Sequence, residues 1–418
     1  MTTFITYTTL ISFAIIAYVY IGYPLLLYIL TLLTKKRDKL IVCDDLPTVS
    51  LLISCYNEED VLPEKIANSL SIDYPKDRLR IVIISDGSED ETDNIAKSFT
   101  HEGVELIRQE GRLGKTSAIN LAMKKVTSDI VVFSDANAMY KPDAVKKLVR
   151  NFTDNGVGYV VGAAIYTDGK TSAAAASEDI YWQYEIKLKI MESNLHSVVG
   201  GDGAIYAIRR NLFIKLDPKD INDFVNPLQI IAQGYRGVFD HEANCLEETA
   251  GDFSKEAKRK QRIVNRSFRG LMKVKEVMNP FKYGFFSLEV ISHKLLRWLI
   301  PVFIVCFAFG SLFLSYENMF IFQIITFLGI LFLWLAQIGF LKSKNKQISP
   351  LFFIPYYFLM VNYYSLLGVL TALAGNIQVT WSTPRADAHK TKRLTNTTVL
   401  ILIILNVVLL KIFSDTLS

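Results

Sequence analysis

Four short segments of this 418-residue chain place carboxylates, amides and cations where an anionic ligand can be held. Asp86-Gly87-Ser88 offers a carboxylate that can accept hydrogen bonds from a base or ribose, beside a glycine that permits close approach. Asp135, followed by Ala136-Asn137, offers a hard oxygen ligand for a divalent cation, which in turn would neutralise a diphosphate. Gly111-Arg112-Leu113-Gly114-Lys115 leads into a helical pattern, and its amides and two cations suit an anion. It lacks the GxxxxGK[ST] spacing of a P-loop. Asp223 falls in the first turn of another helical pattern, where the helix dipole favours an acid, and Asp220 is placed to cap that helix.

Taken singly, each segment reads as an ordinary turn or loop. Their position relative to the neighbouring elements gives them weight. Residues 49–54, 79–85, 104–108 and 129–134 read as strands, the second and fourth rich in β-branched side chains of the kind buried on both faces. Residues 59–70, 91–99, 117–126 and 143–151 read as helices between them. Such alternation predicts an α/β domain with a parallel sheet wrapped by helices, whose ligands sit beyond the carboxyl ends of the strands. Tyr56-Asn57-Glu58 follows the first strand, Asp86 the second and Asp135 the fourth, so one rim collects them all. Further on, Gly200-Gly201-Asp202-Gly203-Ala204 precedes a short strand at 205–208. Tyr181-Trp182-Gln183-Tyr184-Glu185 lies on a helix and is expected to pack.

Half of the residues are hydrophobic, too many for an ordinary soluble domain of this size, and the excess sits in blocks. Residues 7–33 carry no charge and end at Lys35-Lys36-Arg37, which predicts a span with its C-terminal end in the cytosol. Apolar stretches at 295–314, 319–341, 351–374 and 399–413 follow. Lysines at 342, 344 and 346 and the basic residues around Arg385 put both flanks of 351–374 in the cytosol, so this stretch is expected to be interfacial or re-entrant, broken by Pro350 and Pro355. A net charge of +5 gives no support to a nucleic-acid partner. The four cysteines form no CxxC or zinc-type cluster and read as free thiols.

In this order the segments resemble the inverting family-2 glycosyltransferases of GT-A fold, above all the membrane-integrated branch that holds synthases of cellulose, chitin, hyaluronan and poly-β-1,6-N-acetylglucosamine. The resemblance runs from Pro47 to Arg385. It implies a Rossmann-like, nucleotide-sugar-binding GT-A domain in the cytosol, inserted between transmembrane helices and followed by a C-terminal helical membrane bundle. The expected divisions are a transmembrane helix at 1–35, the GT-A domain at 46–255, basic interfacial helices at 256–294, two transmembrane helices at 295–341, an interfacial or re-entrant helix at 350–375, a cytosolic gating-type loop at 376–394 and a last transmembrane helix at 395–418.

The same resemblance assigns roles. Tyr56, Asn57, Glu58, Asp86, Lys115, Asp135, Asn137, Arg259 and Arg262 would bind the donor, with Asp135 and Asn137 holding Mg²⁺ or Mn²⁺. Asn137 stands where the family often has a second aspartate. Gly201, Asp202 and Gly203 would meet the acceptor, and Asp223 would be the general base, with Asn222 in place of the family's first acid. Lys258–Arg266 aligns with the family's QxxRW segment without its tryptophan, and the register through Arg259 and Arg262 fits best. Trp381, Ser382, Thr383 and Arg385 would form the gating loop. The implied reaction is transfer from a UDP-sugar to a growing polysaccharide with inversion, coupled to export, at a bacterial inner membrane. Two alternatives stand beside it: transfer of a single sugar to a lipid-linked acceptor, and a non-catalytic assembly subunit.

Overall fold

The computed structural model describes residues 1–34, 45–168, 172–249, 251–343 and 349–376, with scattered positions between 404 and 415. Helices α1 (Thr2–Ala17) and α2 (Tyr23–Leu33) join through a π-helical turn into one long apolar rod. The α/β domain follows as β1 (Val49–Cys55), α3 (Leu62–Leu70), β2 (Leu79–Ser85), α4 (Thr92–Ser98), β3 (Val104–Arg108), α5 (Lys115–Met123), β4 (Ile130–Asp135), β5 (Met139–Tyr140) and α6 (Ala144–Val149). Then come β6 (Val157–Tyr166), α7 (Ala173–Leu195), β7 (Tyr206–Arg209), α8 (Asn222–Ala232) and β8 (Arg236–Glu247). The polar helix α9 (Phe253–Lys273) and the short α10 (Pro280–Tyr283) and α11 (Phe285–Val290) lead to the apolar α12 (Leu296–Tyr316), α13 (Phe320–Leu341) and α14 (Pro350–Leu373).

Strand order is β3-β2-β1-β4-β7-β6-β8-β5. The expected parallel sheet is present from β3 to β4, where every residue of β1 is buried. Beyond β4 the sheet is mixed: β7 runs antiparallel to both neighbours, β6 and β8 are parallel, and β5 pairs antiparallel with β8. The four strands read from the sequence are thus parallel as expected, and the mixed half lies beyond them, where β7 follows the long helix α7 and re-enters beside β4 in the opposite sense.

The two faces of the sheet bury different cores. One packs Leu51, Ile53, Ile83 and Val132 beneath α3 and α6. The other runs from Leu52 and Val82 through Leu228 and Phe268 to Trp298 and Val369, so the core of the α/β domain continues into the apolar helices without a break. Burial of this apolar surface, at about 25 cal/mol per Å², welds the two parts.

Two expectations are corrected. Asp220 does not cap α8. Ile221 stands at that position without a side-chain bond, while Asp220 is fully buried and bonded to Arg269 and Lys273, each at 2.9 Å. Residues 351–374 are not broken, since α14 continues through Pro355. Among the described residues, four helical rods are long and apolar enough to cross a membrane: Thr2–Leu33, Phe285–Tyr316, Phe320–Leu341 and Pro350–Leu373. The expected last span at 395–418 lies largely outside the described residues, and the loop with Trp381, Ser382, Thr383 and Arg385 lies wholly outside them.

Candidate active site

The site lies at the carboxyl ends of β1, β2 and β4, where the parallel half of the sheet delivers its loops. The loop after β1 and the turn after β2 are stitched together. The Asn57 amide donates to Ser88 Oγ at 3.2 Å, Asn57 Oδ1 accepts from the Glu89 amide at 2.9 Å, and the Glu58 amide donates to Thr92 Oγ1 at 2.8 Å. Asn57 adopts φ 52°, a left-handed conformation that asparagine tolerates better than most residues. Above it, the Arg112 guanidinium lies 3.9 Å from the centre of the Tyr56 ring.

Asp86 is buried and organises the glycine loop. Its Oδ1 accepts from Gln109 Nε2 at 2.5 Å and from the Leu113 and Gly114 amides at 3.0 and 2.9 Å. Burial pushes its carboxyl up, against the pull of those three donors. Gly87 has φ +70°, and a Cβ there would stand 2.6 Å from the Gly111 carbonyl carbon. The aspartate and glycine thus hold the two ligand-facing loops back to back. Gly114 then caps α5 and presents Lys115, whose ammonium is ion-paired to Asp135 at the end of β4.

The acids expected to act together do converge. A Cβ placed on Gly203 would lie 3.3 Å from Asp135 Oδ2, 3.3 Å from Asp223 Oδ2 and 3.6 Å from Lys115 Nζ. The two carboxylate oxygens are therefore no farther apart than twice that distance. Gly201 brings its loop against α8 by donating its amide to the Asp223 carbonyl at 2.5 Å. Asp202 accepts from the Ala204 amide at 3.2 Å and lies 3.8 Å from the buried Lys189 ammonium. Asp223 Oδ1 is buried and makes no hydrogen bond among the described residues. Burial raises the Asp223 carboxyl, as do Asp202 and Asp135, while Lys115 and Arg266 work against them. Asn222, where an acid was a family expectation, donates instead to Tyr206 Oη at 2.8 Å and so fixes the start of α8 to β7.

The two arginines of α9 part company. Arg259 is tied to Glu178 at 2.8 Å and Glu256 at 3.0 Å, both buried acids, and bolts α9 to α7. Burial and the neighbouring Arg259 lower the Arg262 guanidinium from its ordinary value, while the Asp135 and Asp223 carboxylates favour its charged form. Arg266, a residue the sequence did not single out, donates to the Lys219 and Asp220 carbonyls and to Thr116 Oγ1, joining α5 to the segment before α8. Glu247, at the end of β8, was also missed. Its burial, with Asp202 and Asp135 nearby, pushes its carboxyl up to about 8.

No group of three or more His, Cys, Asp or Glu side chains stands ready for a metal among the described residues. The donor set fits Mg²⁺ or Mn²⁺ all the same, because such ions are commonly held by one or two carboxylates plus substrate phosphates and water. Asp135 supplies a carboxylate and Asn137 an amide oxygen on the same turn.

Residues 50–217 match the family model described as Glycosyl transferase family 2. The chain is 25% identical over 186 residues to glycosyltransferase AglE of Haloferax volcanii, a match covering 44% of this chain and 58% of that protein. It is 34% identical over 133 residues to a poly-beta-1,6-N-acetyl-D-glucosamine synthase of Staphylococcus aureus, covering 31% of each. These matches therefore span less than two thirds of either curated relative. In fold, the chain resembles the mannosyltransferase PcManGT of Pyrobaculum calidifontis, solved in complex with GDP-Man and Mn²⁺, with a TM-score of 0.64 and 21% identity over 88% of this chain and 99% of that one.

Proposed function

We propose, from a chain whose residues 50–217 match the Glycosyl transferase family 2 model and whose fold is GT-A-like, a membrane enzyme that transfers sugar from a UDP-sugar to a hydroxyl of a growing polysaccharide, with inversion. The convergence of Asp135, Asp223 and Lys115 around Gly203 carries this reading. Gly203 leaves the centre of the cluster free of side chain, and a flat sugar ring can enter there. Asp223, with its unpartnered oxygen, takes the proton of the acceptor hydroxyl as the hydroxyl oxygen attacks the anomeric carbon and the diphosphate leaves. Lys115 and Arg262 stabilise the charge that develops on the departing diphosphate. A Mg²⁺ or Mn²⁺ held by Asp135, with Asn137 beside it, would neutralise the same diphosphate when bound. One in-line displacement inverts the centre, so an α-linked donor gives a β-linked product.

The charge of the pocket bears on the acceptor. Asp135, Asp202 and Asp223 crowd one space, and a phosphate entering it meets like charge. An ionised phosphate also needs no base. A hydroxyl acceptor fits both facts better than a lipid phosphate, and apolar rods long enough to cross a bilayer, α12 and α13 among them, fit export of the product from a cytosolic active site at the inner membrane.

The test is product analysis of purified protein with a panel of UDP-sugars, GDP-mannose included, with and without Mn²⁺. Metal-dependent growth of a β-linked polymer is the expected result. Asp223→Asn should lower turnover about 10²–10⁴-fold while UDP still binds. Undiminished turnover in that variant removes Asp223 from the base role, and release of no nucleotide from any donor removes the enzyme reading.

A further inference from the structure

We propose that Lys65 is a positioning residue that holds the Asp135–Asn137 turn in its cation-binding shape, an inference that rests on the donor-site reading above. Lys65 lies on α3, outside the pocket, and is fully buried at 0% exposure. It forms no ion pair among the described residues. An ammonium removed from water in this way is costly unless oxygens satisfy it. It donates to Ser134 Oγ at 2.9 Å and to the Ala138 carbonyl, and lies 4.3 Å from the centre of the Tyr140 ring. Ser134 and Ala138 are the residues that bracket Asp135-Ala136-Asn137. A single cation therefore ties both ends of the turn that carries the acid and the amide.

The rest of the clamp comes from the same helix. Asn68 donates to the Tyr140 carbonyl at 2.9 Å and accepts from the Tyr140 amide at 2.8 Å. Tyr140 Oη in turn lies 3.2 Å from the Phe133 carbonyl and 3.1 Å from that of Ala204, beside Gly203. So α3 grips the donor turn, and Tyr140 relates it to the loop around which the acids converge. The grip matters here because Asn137 brings no charge. Cation binding then leans on one carboxylate, Asp135, and on how that carboxylate is aimed. A buried ammonium without an ion-pair partner is a costly way to join two oxygens, and the two it joins lie at either end of the donor turn.

Lys65→Met keeps the length of the side chain and removes its donors. Mn²⁺ binding to full-length protein in detergent, at fixed UDP, is read from the electron paramagnetic resonance signal of free Mn²⁺, alongside the melting temperature. The expected result is Mn²⁺ affinity about tenfold weaker or worse, with the melting temperature held. A melting temperature that falls while the folded protein keeps wild-type Mn²⁺ affinity overturns the proposal, and so does unchanged affinity in a fully stable variant. If Lys65→Met does not fold, Ser134→Ala decides: it removes one anchor and leaves the lysine, and Mn²⁺ affinity should weaken roughly threefold. Unchanged affinity there overturns the proposal. Failure of the wild type to bind Mn²⁺ with UDP would instead overturn the donor-site reading itself.

Discussion

A carboxylate that takes a proton must keep a lone pair free, and Asp223 keeps a buried oxygen without a hydrogen-bond partner. Its surroundings also set the pH at which it works. Burial raises the carboxyl most, Asp202 and Asp135 add to the rise, and Lys115 and Arg266 oppose it. In the proposed base role the working form is ionised, so kcat/KM should fall as pH drops through this raised value. The acid limb of the rate profile should therefore lie above the usual aspartate value of about 3.9. Lys115→Met removes the largest opposing charge, and the limb should move to still higher pH, whatever happens to the rate at the plateau. A limb that stays put in this variant assigns the titration to another group. At Gly87 the constraint is steric rather than electrostatic. Gly87→Ala forces a side chain into φ +70° and against the Gly111 carbonyl carbon. The left-handed backbone alone costs about 1–2 kcal/mol. A lowered melting temperature and weakened UDP binding should appear together, because the same contact holds the loop that Asp86 organises.

At the scale of elements, the two arginines of α9 give opposite expectations. Arg259→Gln breaks the ion pairs that join Glu178 and Glu256 across the α7–α9 seam, leaving Lys260 at 3.5 Å from Glu256, a loss of up to about 3–5 kcal/mol. UDP affinity of the folded protein should change little. Arg262→Gln should do the reverse, weakening UDP binding with little change in thermal stability. Sequence spacing could not separate them, since residues three apart on a helix share a face and the deciding partner, Glu178, lies 81 positions away. The same limit governs the rest. Strands β1, β2, β3 and β4 were legible because their apolar runs are continuous and bounded by turn residues. Strand β6 was not, because Gly158 and Gly162 interrupt its pattern. A Cβ on Gly158 would meet Ile230 at 2.4 Å, and one on Gly162 the Ala243 carbonyl at 2.5 Å, so close packing explains both glycines. Asp86, Lys115, Asp135 and Asp223 were legible as candidates because each sits next to a recognisable element end. Lys65 was not, because a lysine on an amphipathic helix reads as a solvated one until its neighbours are known.

For the whole molecule, the orientation of α14 decides how the catalytic domain meets the bilayer. The helix has 24 residues, about 36 Å at 1.5 Å each, enough to cross a hydrocarbon core of about 30 Å. Its neighbours argue for a different placement. The polar helix α9 accompanies it along its length: the Phe253 ring lies 5.0 Å from that of Tyr356 near one end, and Asn265 donates to Thr371 at 2.9 Å near the other. Gly368 lies so close to α9 that an added Cβ would stand 2.8 Å from the Gln261 carbonyl. Helix α9 carries Lys258, Arg259, Lys260 and Arg262, and burying such a helix at the depth of a hydrocarbon core is expensive. We therefore expect α14 to lie along the membrane surface, with its exposed residues Leu351, Ile354, Tyr363, Leu370 and Leu373 turned toward lipid. Spin labels placed one at a time at those positions in bilayer-reconstituted protein would measure it. A helix at the interface gives similar, shallow depths for all five. A spanning helix gives depths that deepen toward Tyr363 and become shallow again at both ends, and that profile would return the catalytic domain to a simple tether between crossings.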